Sequence, residues 1–367
     1  MRLPPPGPAR LRRLRIVFAS PRRGRGNPAR WSAAILDGLA SLAMTAEAVG
    51  RPLLSAGVVA LALAGCGSSG LPPPPEDPAL ARDTRLARLS FEQQRPQQAA
   101  TLYRQALTQA QQRDDLPAIA DLGWNLAVVL LRLDRPAEAA AMAQATRDEV
   151  TRRGGTPHPE LLLVEAAALY RTGDAATAAA KASQVVADPQ APAATRGRAA
   201  FLSGLIAADQ GDAGGIAAAL ASMDAVAGEP LPALAPDRSE LAGRRAVLDG
   251  DPASAQAAFL NAADGRRTAL DYPGMARALA GAAAAAAALG HAGEAADLWL
   301  RAGRSAQLGG QTAAARAWLT RAGDAARQAG ASDIAAEAAS RLAALEAGAD
   351  GSAPGAAQPS RVPAGSG

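Results

Sequence analysis

The residues able to do covalent or metal chemistry are few: one cysteine, Cys66, and two histidines, His158 and His291. A single cysteine forms no internal disulfide, and with two histidines it falls short of an ordinary zinc site unless carboxylates dominate the ligand set. His158 lies between Pro157 and Pro159, and His291 falls at a turn; both are settings for a solvated histidine rather than a perturbed catalytic one. The paired carboxylates Asp114 and Asp115 sit at a helix boundary, where they cap or are solvated. No nucleophile motif, glycine-rich phosphate loop after a strand, HExxH sequence or acidic metal loop is present. A non-enzymatic chain with no cofactor and no metal is expected.

The surroundings of Cys66 point elsewhere. Residues 53–65, LLSAGVVALALAG, form an uncharged apolar run, preceded by Arg51 and followed directly by Cys66. Thirteen residues are too short for a bilayer core of about 30 Å but match the apolar region of a secretory signal. The end of the run, Leu63-Ala64-Gly65-Cys66, resembles the lipobox of bacterial lipoproteins, which implies lipidation of Cys66 and cleavage just before it. Acylation stabilises membrane attachment by about 0.8 kcal/mol per buried methylene. A signal of ordinary length starts at Met44, so 44–65 reads as the signal peptide and 1–43 as a disordered upstream extension from a misassigned start. Ser20-Pro21-Arg22-Arg23 is similar to a twin-arginine signal, but it lies 30 residues ahead of the apolar run and its flanks do not match. Residues 66–78 form a Gly- and Pro-rich tether. Gly67, rather than aspartate, follows the cysteine, which under the enterobacterial sorting rule implies the outer membrane, facing the periplasm.

Charge must be divided along the chain before it is interpreted. Residues 1–65 hold ten arginines against Asp37 and Glu47, leaving 28 basic and 32 acidic residues in the remainder. The body is therefore slightly acidic and gives no support to nucleic-acid binding.

The body is built for helices. About 100 residues are alanine, the best helix former, and only 3% are aromatic, which argues against sheet-centred folds. Seven turn-like tetrapeptides recur at spacings of 38 to 40: Gln93–Pro96, Leu133–Pro136, Thr172–Ala175, Gln210–Ala213, Asp249–Pro252, Leu289–Ala292 and Ala329–Ser332. Five have glycine second, where a left-handed residue would end a first helix, and Pro96, Pro136 and Pro252 pre-set the first turn of a second. A small residue, usually alanine, follows five positions after the second turn residue: Ala99, Ala139, Ala178, Ile216, Ala255, Ala295 and Ala335. Alanine there lets paired helices approach closely, and an aromatic four residues later lies on the same face. The seven alanines of Ala282–Ala288 read as a helix squeezed between neighbours.

The second-helix pattern, Ala99-Tyr103-Ala106, Ala255-Phe259-Ala262 and Ala295-Trp299-Ala302, resembles the tetratricopeptide repeat, although the period of about 39 exceeds that family's 34 and the first-helix signature is degenerate. The resemblance implies an all-α, right-handed α-solenoid of about seven helix pairs over residues 79–347, followed by a disordered tail, 348–367. It also implies a concave wall made by the first helix of each pair. Carried over position by position, that wall comprises Arg88 and Phe91, then Trp124, Leu131 and Arg132, then Tyr170 and Arg171, then Phe201 and Leu205. The same aromatics could instead pack between repeats. Asn125 falls where some members clamp a terminal carboxylate, but Arg85 and Val164 hold the flanking equivalents, which argues against that clamp. The later pairs offer mostly alanine with Arg244 and Arg277, so binding is expected toward the N-terminal half.

Together the two resemblances imply a lipid-anchored scaffold of the bacterial envelope that binds partner proteins, in the manner of tetratricopeptide lipoproteins serving pilus, secretion or cell-wall assemblies. A secreted peptide or glycan binder and a non-catalytic subunit of an envelope enzyme are the alternatives.

Overall fold

The computed structural model describes residues 77–227 and 231–350. Cys66, the signal region, the upstream extension and residues 351–367 lie outside the described residues. Fourteen α-helices, among the described residues, run as seven consecutive pairs. They are α1 (Pro78–Glu92) with α2 (Pro96–Gln112), α3 (Leu116–Arg132) with α4 (Pro136–Arg152), and α5 (Pro159–Thr172) with α6 (Ala175–Ala187). There follow α7 (Ala193–Gln210) with α8 (Ala213–Ala227), and α9 (Ala235–Asp249) with α10 (Pro252–Thr268). Last come α11 (Tyr272–Ala288) with α12 (Ala292–Leu308), and α13 (Thr312–Ala329) with α14 (Ser332–Asp350). One 3₁₀ turn, Pro232–Leu234, leads into α9. Every helix packs on the next, and first helices also touch across pairs, α3 on α5, α5 on α7 and α7 on α9. The chain is thus an all-α solenoid of helix pairs, and no described helix is long and apolar enough to cross a membrane.

All seven tetrapeptides are the turns inside pairs. The second residue of each is left-handed: glycine at 173, 211, 250, 290 and 330, and Gln94 and Asp134 in the first two, at φ 59° and 58°. The next N–H then reaches back five residues, as Asp174 does to the Leu169 carbonyl (3.0 Å) and Asp251 to that of Ala246 (2.9 Å). Asp174, Asp212 and Asp251 also cap the second helix, accepting from the N–H groups of Thr177, Gly215 and Ser254 at 3.1, 2.9 and 3.0 Å. One aspartate therefore closes one helix and opens the next, which makes the turn short and its direction fixed.

The small positions do what close approach requires. Ala99, Ala139, Ala178, Ile216, Ala255 and Ala295 are wholly buried. Ala335 stays half-buried, because no described pair follows it. Phe259 on α10 shows how close the helices come. Its ring lies where Cβ atoms on Gly243 of α9 and Gly281 of α11 would sit, 2.9 Å away in each case. Within the alanine run, Ala282, Ala283, Ala285 and Ala286 are buried and the other three face outward. The apolar core falls into two clusters, one from Leu80 to Leu241 and one from Ala255 to Ala338, and they part between α9 and α10.

Candidate functional site

The nine wall residues separate into two groups. Trp124, Leu131, Tyr170, Phe201 and Leu205 are buried, the most exposed of them at 7%. The open concave wall expected for them is a packing layer instead, because the first helices lie against one another as well as against their own partners. Trp124 even buries its indole Nε1–H without an acceptor. Arg88, Phe91, Arg132 and Arg171 are half-buried. Of these, Arg132 and Arg171 tie consecutive turns together. Arg132 Nη2 donates to Gln94 Oε1 at 3.1 Å, and Arg171 donates to the Leu131 carbonyl and to Asp134 Oδ1, both at 2.6 Å. Position 132 recurs 39 residues later as 171, so the sequence period itself carries this staple.

Arg244 and Arg277 are not a surface either. Both are buried, and with Arg266 of α10 they converge on Glu240 of α9, which is 1% exposed. Glu240 accepts from Arg244 (2.9 Å), Arg266 (2.7 Å) and Arg277 (3.2 Å). Arg266 also donates to Asp237 (2.9 Å) and to Asp271 (3.0 Å), whose other oxygen caps α11 at the Gly274 N–H. Burial alone would raise the Glu240 pKa, but the charges of Arg277, Arg266 and Arg244 outweigh it and hold the carboxyl well below the usual range. At Asp237 burial prevails over the pull of Arg266 and Arg198, and the pKa is pushed up to about 6. Farther along α7, Asp209 accepts from the Tyr170 hydroxyl, and burial raises both groups. Another buried acid, Glu165 on α5, is held by Arg147 at 2.7 Å and by Lys181, the only lysine, at 2.9 Å. These clusters went unread in the sequence. The signal available was the i, i+4 pair Glu240 and Arg244, with Arg277 one repeat on at residue 240 plus 37.

Beside the Glu240 cluster lies a cavity of about 580 Å³. Its wall draws on distant pairs: Phe91 and Gln94 at the first turn, Arg132 of α3, Arg198 of α7, Asp237, and the α10–α11 connection around Leu270 and Tyr272. The solenoid therefore brings its first pair to face its fifth. Two of the predicted residues, Phe91 and Arg132, meet here, and Leu270 and Tyr272 beside them are 71% and 38% exposed. Leu270 also holds a left-handed backbone at φ 57°. His158 and His291 stand apart, each at a helix start and half-exposed or more. Among the described residues no group of three or more His, Cys, Asp or Glu is placed to hold a metal.

No protein-family model matches the chain, and no curated protein matches it. Solved structures do. A tetratricopeptide repeat protein from Parabacteroides merdae ATCC 43184 is 12% identical, with 71% of this chain and 98% of that one covered at a TM-score of 0.42. A Rap protein complexed with competence and sporulation factor is 14% identical, covering 74% and 76% at 0.36. The TPR2AB domain of yeast Sti1, in complex with an HSP90 peptide, is 11% identical, covering 71% and 98% at 0.26.

Proposed function

We propose that this chain is a non-enzymatic repeat scaffold of the bacterial envelope, anchored through a lipid on Cys66, that docks partner proteins at the mouth of the cavity between its first and fifth helix pairs. The observation that carries the reading is the meeting of Phe91, Arg132, Leu270 and Tyr272 at one opening. Aromatic and arginine side chains around a concavity are the combination enriched at binding hot spots, and a solenoid presents them on a rigid frame. The remaining wall residues act by holding that frame. Anchorage at Cys66 would keep the opening beside a membrane, and pilus, secretion or cell-wall assemblies are the settings that fit.

Crosslinking in intact cells followed by mass spectrometry tests the docking. Phe91→Ala and Tyr272→Ala should lose the crosslinked partners while the helical spectrum and melting stay near native. Capture unchanged in both variants would remove the mouth from the interface. Intact mass of membrane-extracted protein should show a lipid-modified N-terminal Cys66, and Cys66→Ala should release the protein from membranes. A mature product retaining residues before Cys66 would defeat the anchoring.

A further inference from the structure

Arg198 lines the cavity and is more than nine-tenths buried, yet its Nε and Nη1 have no hydrogen-bond acceptor. Burial lowers its pKa, and the charge of Asp237 only partly offsets this. An arginine stays charged under such conditions, so the fold carries a cation whose donors are desolvated and unused. The neighbouring acids make no hydrogen bond to it. Asp237 is engaged by Arg266 at 2.9 Å, Asp271 by the same guanidinium at 3.0 Å, and Glu92 stands exposed at the rim. Phe91, Pro232, Leu270 and Tyr272 supply apolar and aromatic surface to the wall, beside the polar Gln94, Arg132 and Thr268. At about 580 Å³ the space has the size of a small-molecule site.

We propose that this cavity is the receptor for a carboxylate borne on an apolar or aromatic body, with Arg198 as its guanidinium partner. The inference rests on the reading of the cavity as a binding site and names the chemistry it takes. A monoanionic carboxylate pairs with one edge of the guanidinium, Nη2 completing a fork with either Nε or Nη1, which lie on opposite edges of the group. A phosphate dianion is disfavoured, because Asp237, Asp271 and Glu92 repel a second negative charge and Arg266 is already held by Asp237, Glu240 and Asp271. The carboxylate belongs either to a free small acid or to a peptide end.

Titration calorimetry on the full chain at neutral pH separates these cases. The probes are 3-phenylpropionate, 3-phenylpropanol, phenyl phosphate, and acetyl-Ala-Ala-Phe as free acid and as amide. Saturable binding by 3-phenylpropionate or the peptide acid is expected, with the alcohol, the amide and the phosphate each weaker by roughly 10-fold to 100-fold, the range for losing hydrogen bonds to a charged group. Binding of the small acid but not the peptide identifies a free metabolite as the source, and the reverse identifies a chain end. Arg198→Met should abolish binding while melting at or above the native temperature, since it removes a desolvated charge. Ala269→Trp, which fills the cavity from its exposed rim, should abolish binding with Arg198 in place. Equal binding of acid and alcohol, binding retained in Arg198→Met, or no saturable binding by either acid would overturn the proposal. Saturable acid binding by the full chain, together with partner capture unchanged in Phe91→Ala and Tyr272→Ala, would leave this site standing and remove the docking reading alone.

Discussion

The pairs before α9 and those after it are held by different materials. In the N-terminal half the first helices supply the bulk themselves: Ile119, Leu122, Leu126 and Leu130 on α3, and Leu161 and Leu163 on α5, are buried almost completely. In the C-terminal half α11 buries mainly alanine, and the large side chains come from Phe259 of α10, Trp299 of α12 and Trp318 of α13. Alanine and glycine on one helix let an aromatic from its neighbour seat against the backbone, so around α11 the bulk is supplied by neighbouring helices rather than by the helix itself. Between them, where the apolar clusters part, ions replace hydrocarbon. In the turn register Glu240 takes the place that Trp124, Leu163 and Phe201 hold in the three preceding pairs.

This contrast predicts its own largest effect. Truncating Glu240 to alanine leaves three buried guanidinium groups without their shared acceptor, and removing one partner of a buried ion cluster costs about 3–5 kcal/mol. Denaturant unfolding should show a loss of that order. A loss below about 1 kcal/mol would mean that water reaches the cluster and that the junction is no different from a surface ion pair. On the N-terminal side, Trp124→Ala should cost a similar ~3–5 kcal/mol by emptying an aromatic site. Trp124→Phe should cost much less, because the buried indole N–H has no acceptor to lose. Near-native stability of the alanine variant would return Trp124 to an open wall.

The turns were legible and the wall was not, for physical reasons that differ. Glycine, proline and aspartate at 38- to 40-residue spacing act through the local backbone, so Gly173 with Asp174 specifies a helix stop and start whatever surrounds it. Alanine at Ala99 or Ala255 speaks through its size alone, which is also visible in sequence. Whether Tyr170 or Phe201 faces a groove depends on how far consecutive first helices separate, and that follows from packing across pairs. Glu240 and Arg266 were invisible for the same reason. On an alanine-rich helix a charge reads as solvated, and its burial is decided by residues one repeat away. Cavity residue Arg198 meets Phe91 only because the solenoid brings its first and fifth pairs together, a relation no local pattern encodes.

The alanine-built half should be less tolerant of added volume than of ordinary surface change. Ala283 is wholly buried on α11, and Ala283→Leu should cost about 1–3 kcal/mol by over-packing. The exposed neighbour Ala284→Leu should stay within about 0.5 kcal/mol. Equal effects at the two positions would mean that α11 can shift as a body.

The junction should also respond to pH. Asp237 has its folded pKa pushed up to about 6 by burial, above its unfolded value near 3.8. The folded state therefore holds this proton more tightly, and the group's contribution to stability grows as pH falls from 7 through 6 and is lost on the way back up. Between pH 7 and pH 5 the gain is about 1 kcal/mol. Glu240 runs the other way. Its depressed folded value gives a contribution that is present above its ordinary 4.5 and lost below it, so it is constant in this window. Urea unfolding at the two pH values, compared with Asp237→Asn, isolates the term. An unchanged pH dependence in the variant would show that Asp237 keeps an ordinary pKa.

The smallest effect sits at the cavity mouth. Among the described residues four turn residues other than glycine are left-handed, and three of them, Gln94, Asp114 and Asp134, have side chains engaged by Arg132, Arg153 and Arg171. Leu270 is the fourth. It is a large aliphatic residue, 71% exposed, in a conformation that costs a residue with a Cβ about 1–2 kcal/mol. Replacing it by glycine relieves that cost but gives the unfolded chain more freedom, so the net gain should be at most about 1 kcal/mol. Leu270→Ala, which keeps the Cβ, should gain nothing. If the leucine is retained for the opening it flanks, Leu270→Gly should stabilise the fold and weaken partner capture together. A stabilised variant with full capture would mean that the exposed side chain serves neither the fold nor the site.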